Sequence, residues 1–246
     1  MVGHCDWMGL AVRLARYALD QGETPVACVF VYEPMGEVIA YGTNDTNGSL
    51  TGIAHAEFMA INHLQSAVGT GAEMLRLARS ITVYVTVEPC IMCASALRQL
   101  GIGKVVFGCA NERFGGNGTV LHCNKDASAG LNGTYRSVPG IMRREAIMLL
   151  RYFYVRSNER SPKPRNKSER HLDKTSFPLL NWGRYLEESE FVEEFGEEQT
   201  NHYANHTDVA EKINWSLVDE GCDDIINELE RRCSRFVEHR NKRVKQ

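Results

Sequence analysis

No run in the 246-residue chain approaches the roughly 20 consecutive apolar residues that a membrane-spanning helix needs, so no membrane partner is expected. The first ten residues carry His4 and Asp6 in place of a basic and then apolar leader, which points to an intracellular protein, nuclear or cytoplasmic. Only 7 prolines, with 43% hydrophobic and 24% charged residues, exclude a wholly disordered or collagen-like chain. Eight cysteines do not make a disulfide framework here, because that reading belongs to short secreted domains; most are expected as reduced thiols. No repeat of fixed period is evident.

The net charge of -3 hides a strong segregation. Residues 1–155 hold 12 basic and 12 acidic side chains and are neutral; 156–174 hold 7 and 3, 175–230 hold 2 and 15, and 231–246 hold 7 and 1. The neutral, apolar-rich first part reads as a folded unit over 1–158, followed by a basic, proline-containing linker over 159–174. The acidic insert at 175–230 reads as a solvated or disordered spacer, although Trp182, Tyr185, Phe191 and Phe195 keep a docked helix open. The last stretch, with Arg231, Arg232, Arg235, Arg240, Lys242, Arg243 and Lys245, is either a solvated helix end or a cationic tail that neutralises nucleic-acid phosphates.

Within the first part, Trp7, Leu10, Ala11, Leu14, Tyr17 and Ala18 recur at helical spacing ahead of Gly22. The runs 26–32 and 37–41 flank a Pro34-Met35-Gly36 turn and predict a hairpin. Helices are predicted over 54–67, 91–100 and 143–154, and strands over 81–87 and 105–107. Alternating helices and strands imply an α/β sheet in two or three layers, parallel wherever a helix intervenes.

Two motifs sit at strand-to-helix junctions, the end of an α/β sheet where ligands bind. Cys90 and Cys93 are one helical turn apart and can present both sulfurs to one point, at a helix start that favours thiolate. His55 supplies a third ligand, and a Zn²⁺ ion with three protein ligands keeps a position for water, as catalytic sites do. Glu57, two residues past His55, would lie about 200° around a helix, so the pair can converge only at the helix start. There its carboxylate could act as general acid and base. The competing reading makes Cys90 and Cys93 half of a closed structural zinc site completed by His122 and Cys123, or by His63 and Cys109, none of which has chelate spacing with the pair.

His55-x-Glu57 with Pro89-Cys90-x-x-Cys93 resembles the signature of the zinc-dependent cytidine deaminase superfamily. Gly22-Glu23-Thr24-Pro25-Val26, Gly42-Thr43-Asn44, the run 83–90 and the run 105–116 resemble its tRNA adenosine deaminase branch, over about residues 5–158. Thr24 and Ala27 depart from that pattern, where an apolar residue and a glycine are usual. The resemblance implies a three-layer fold with a central mixed five-stranded sheet flanked by helices, plus a C-terminal extension. It implies zinc on His55, Cys90 and Cys93, and Glu57 as the proton shuttle. It also implies that Asn44, Asn111 and the backbone at Val26, Ala56 and Glu88 orient the base.

The implied activity is hydrolytic deamination of adenosine to inosine at the wobble position of tRNA. Because Glu57 is retained, the implied partner is a homologous, non-catalytic subunit that completes a heterodimer. The neutral 1–155 unit leaves much of the tRNA grip to that partner and to the basic segments. The alternatives are a deaminase of free nucleobases, nucleotides or cytidine with the same metal chemistry, and a non-catalytic RNA-binding subunit stabilised by zinc.

Overall fold

The computed structural model describes residues 2–69, 71–126, 133–156, 172–210 and 212–244. Helix α1 (Val2–Asp20) leads into strands β1 (Ala27–Tyr32) and β2 (Glu37–Thr43), then α2 (Ala56–Val68), α3 (Ala72–Ala78), β3 (Ile81–Val87), α4 (Ile91–Leu100), β4 (Lys104–Cys109), β5 (Arg136–Val138) and α5 (Arg143–Val155). The sheet order is β2-β1-β3-β4-β5. β1 is antiparallel to β2 and β3, whereas β4 is parallel to β3 and β5, so the sheet is mixed and five-stranded. α1 and α5 pack together with the sheet, while α2, α3 and α4 form the other helical layer. All seven residues of β3 are buried, which fits a central strand covered on both faces.

The short α3 and the three-residue β5 escaped the periodicity reading, since neither is long enough to show a period. Of the other predicted ranges, 81–87 and 91–100 are present as expected and the rest have ends moved by one or two residues. No described helix is long and apolar enough to cross a membrane.

The C-terminal part differs from the expectation. Residues 159–171 of the expected linker lie outside the described residues. The segment 175–230, read as a solvated spacer, instead packs onto the sheet domain through α6 (Glu188–Phe195), α7 (Thr200–Asn205), α8 (Trp215–Asp219) and the start of α9 (Ile225–Val244). Trp182, Phe191 and Phe236 are no more than 1% exposed. The Trp182 ring lies 4.9 Å from Phe191 and 5.2 Å from Phe195, in edge-on contacts that hold the segment as a small core.

Its acidity has a structural use. Glu194 meets His4, Lys104 and Arg136; Glu193 meets Arg136; Asp208 lies 2.8 Å from both Arg143 and Arg144. Negative composition signals disorder only when the charges have no partners, and the partners lie over 50 residues away in sequence.

The basic tail is likewise a docked helix. α9 packs against β2 and α1, burying Ile225, Leu229, Cys233 and Phe236. Arg232 pairs with Glu228, Arg235 with Glu37 and Arg240 with Glu73, while Arg231 Nε donates to the Asn227 carbonyl. Lys242 and Arg243 belong to the last turns of α9 with side chains outside the described residues, and Lys245 lies outside them altogether.

Candidate active site

β2 and β3 both end at the same edge of the fold and hand the chain to α2 and α4. α2 begins at Ala56, so His55 is its N-cap residue in extended conformation and Glu57 falls in the first helical turn. That break in helical geometry lets two side chains separated by one residue converge, as the spacing required. Gly42 makes the approach possible, because a Cβ there would fall 2.3 Å from the Ala56 carbonyl oxygen and 2.6 Å from the Ala60 nitrogen. Asn44 anchors the junction from the other side: its Oδ1 accepts the Ala56 N–H at 2.9 Å, and its own N–H donates to the Val26 carbonyl at 3.0 Å.

Cys90 is the N-cap of α4, and its sulfur accepts the Cys93 N–H. His55 Nδ1 lies 3.5 Å from Sγ of Cys90 and 3.5 Å from Sγ of Cys93. A tetrahedral zinc, at about 2.3 Å from sulfur and about 2.0 Å from nitrogen, sets its N and S ligands about 3.5 Å apart, so this donor set fits the ion. Among the described residues no other His, Cys or acidic side chain joins a metal-sized cluster, and His63, Cys109, His122 and Cys123 stand apart from it. The site is therefore one of three protein donors.

The electrostatics suit that use. The Cys93 thiol hydrogen-bonds the Cys90 sulfur, which with His55 draws Cys90 down to about 4 against the opposing effect of burial. The same bond and burial push Cys93 up. Glu57 is 3% exposed, and burial raises its carboxyl above the usual range. It also interacts with the Cys93 thiol, which sets it beside the donors.

Glu88 and Asn111 both bond to the loop after β4. The buried Glu88 carboxylate accepts the backbone N–H groups of Asn111, Asn117 and Thr119 at 3.0, 3.0 and 3.1 Å, and the Thr119 hydroxyl. Asn111 Nδ2 donates to the Glu88 carbonyl, while its Oδ1 accepts the Phe114 N–H. Both side chains thus organise the loop after β4. Gly115 is required inside it, since a Cβ there would fall 2.5 Å from the Glu88 carboxylate. This loop abuts the zinc donors through the Cys90–Gly115 bridge and the Ile91 N–H to Phe114 carbonyl bond.

A second clamp was not singled out by the sequence reading: Glu23 accepts from Thr24 N, Thr46 Oγ1 and Asn47 N at 2.8, 2.9 and 2.6 Å, fixing the loop after β2. Its sequence signal was only its place in the Gly22–Val26 run. Leu50, Ile53 and Phe114 stand exposed on these two flanking loops.

Fold and donor set together are those of a zinc-binding deaminase domain. The model of the cytidine and deoxycytidylate deaminase zinc-binding region matches residues 1–109. The tRNA-specific adenosine deaminase subunit tad2 of Schizosaccharomyces pombe is 47% identical over 169 residues, covering 69% of this chain and 42% of that protein. The chain thus matches less than half the length of that relative. tRNA-specific adenosine deaminase 2 of Danio rerio is 38% identical over 164 residues, 66% of this chain and 76% of its own. A solved tRNA:A34 deaminase, from work on A-to-I editing at the wobble position, superposes with a TM-score of 0.51 at 28% identity over 59% of this chain and 99% of its own. The chain belongs to the cytidine and deoxycytidylate deaminase family, in the branch that holds the tRNA-specific adenosine deaminases.

Proposed function

We propose that the chain hydrolyses adenosine to inosine at the wobble position of tRNA, as the catalytic member of a heterodimer with a homologous, non-catalytic subunit. The reading is carried by the convergence of His55 Nδ1, Cys90 and Cys93 next to the buried Glu57, and it is supported by the relatives named above. A tRNA substrate sets the work inside the cell, in nucleus or cytoplasm.

His55, Cys90 and Cys93 would hold the zinc, which would supply Lewis-acid chemistry for the attack of water on C6 of adenine. Glu57 takes the proton released from the attacking water and delivers it to the purine and the departing ammonia, a role suited to a carboxyl whose proton affinity burial has raised. Asn44, with one face of its amide bound to Ala56, directs the other at the base; the backbone at Val26, Ala56 and Glu88 shapes the pocket wall. Asn111 acts through the loop it braces. An unstacked anticodon-loop base enters such a pocket at low cost.

The basic residues Arg231, Arg232, Arg235, Arg240, Lys242 and Arg243 of α9, and Lys245 after it, add affinity for RNA phosphates. Arg231 makes no ion pair with an acidic side chain among the described residues, which leaves its charge available. Incubating the zinc-loaded chain and its partner with unmodified tRNA should produce inosine at the wobble base. Turnover of free cytidine or guanine with no inosine in tRNA would overturn the assignment.

A further inference from the structure

The C-terminal segment and α5 enclose a cleft of about 330 Å³ that the zinc chemistry does not use. Its lining carries three arginines, Arg143, Arg151 and Arg184, against a single carboxylate, Glu112. Arg143 is 4% exposed; its Nη1 donates to Asp208, its Nη2 donates to the Pro178 carbonyl, and its buried Nε has no partner among the described residues. Arg151 is committed to the carbonyls of Asp173 and Ser176, with its guanidinium 5.0 Å from the Phe177 ring. The exposed Arg184 guanidinium makes no hydrogen bond or ion pair among the described residues. Ile147, Leu150 and the exposed Leu179 supply apolar wall.

A cleft with a free cation and apolar sides suits a ligand that joins an anion to a flat apolar body. A nucleotide is such a ligand. Asn181 and Glu112 add the groups that could meet a base edge or a ribose hydroxyl. Position narrows the source. Thr119 lines the cleft and also bonds Glu88, two residues before Cys90, and the same loop carries Gly115, which bridges to Cys90. The cleft therefore adjoins the loop that abuts the zinc donors.

Resting on the RNA deaminase reading, we propose that the cleft is a second nucleotide subsite, which holds the phosphate and base of an RNA residue flanking the deaminated adenosine, with Arg184 as the phosphate contact. The subsite is built partly by the C-terminal segment, so it gives that segment a direct part in choosing which anticodon loops are accepted.

The test uses the zinc-loaded full chain with its partner, in a Glu57→Gln background that prevents turnover. Kd for tRNA is measured across about 50 to 200 mM salt. Arg184→Glu should weaken binding about tenfold and lower the salt slope by about one, while Arg184→Lys keeps most of both. Thiouridine placed next to the target base should crosslink to residues 179–184. Unchanged affinity and slope, or crosslinks confined to other segments, would overturn the proposal. So would free AMP binding that depends on Arg184 while tRNA affinity does not, since the cleft would then serve a free nucleotide. If wild-type enzyme binds tRNA in the Arg184-dependent way but forms no inosine, the subsite stands and the proposed reaction falls.

Discussion

The Tyr185 hydroxyl lies 2.6 Å from Thr119 Oγ1, joining the C-terminal segment to the loop that wraps the Glu88 carboxylate. Thr119 in turn bonds Glu88 through both hydroxyl and backbone, and the Tyr185 ring sits edge-on to Phe107 of β4 at 5.4 Å. Tyr185→Phe removes the hydroxyl and keeps the ring. It should cost about 1 kcal/mol, which in a protein of this size lowers Tm by about 2–4 °C. The accompanying loss of amide exchange protection should centre on Asn117 and Thr119; uniform loss across the sheet would show that the bond does not act on the loop.

Glu57→Gln keeps the shape of the side chain and removes its ability to carry a proton. Deamination should fall by about 10² to 10⁴ while one zinc per chain is retained. Metal analysis alongside the rate separates the two effects. Retained activity would assign proton transfer to another group.

Cys93→Ser replaces a sulfur donor at a site built from one imidazole and two sulfurs. Zinc content should drop well below one per chain, and Tm should fall, because a ligand that binds the folded state stabilises it by mass action. Stripping the wild type with a chelator should give the same Tm loss, and adding zinc back should reverse it only in the wild type. Full zinc occupancy in Cys93→Ser would mean that the ion is held elsewhere.

Glu194 fastens α6 to the sheet domain. Burial alone would raise its carboxyl, yet the His4 hydrogen bond and the charges of Lys104, His4 and Arg136 hold it down at about 2. A depressed carboxylate contributes stability that is complete above the unfolded value, about 4.5, and is lost as pH falls toward 2. Acid titration followed by Trp182 fluorescence should therefore show packing lost across that window. Glu194→Gln, which has no proton to gain, should be less stable at pH 7 and should flatten that part of the curve. Identical acid curves for the two proteins would remove Glu194 from the docking of this segment.

The zinc donors were legible because their chemistry is local. Cys-x-x-Cys at a helix start fixes two sulfurs within one turn, and His55 at the next junction needed only the sheet to bring it in. The loop-forming roles of Glu88 and Glu23 were not legible, because a carboxylate that collects backbone N–H groups has no pattern of its own in sequence. Likewise, the acidic segment carried an ambiguous signal. Its aromatics argued for packing and its charge argued for solvent, and nothing local said that Arg136, Arg143 and Lys104 would be waiting.

The sequence by itself determined the alternating helices and strands of the sheet domain and the chelating pair, since each follows from spacing within a few residues; His55 it offered only as a candidate at a second strand-to-helix junction. Tertiary structure alone decided that the C-terminal 70 or so residues fold back onto that domain, that α9 covers β2, and that Tyr185 and Arg184 arrive beside the active-site loop. The physical reason is range. Periodicity and capping act over one or two turns, whereas charge pairing and aromatic burial are satisfied by partners that only the folded chain brings within reach.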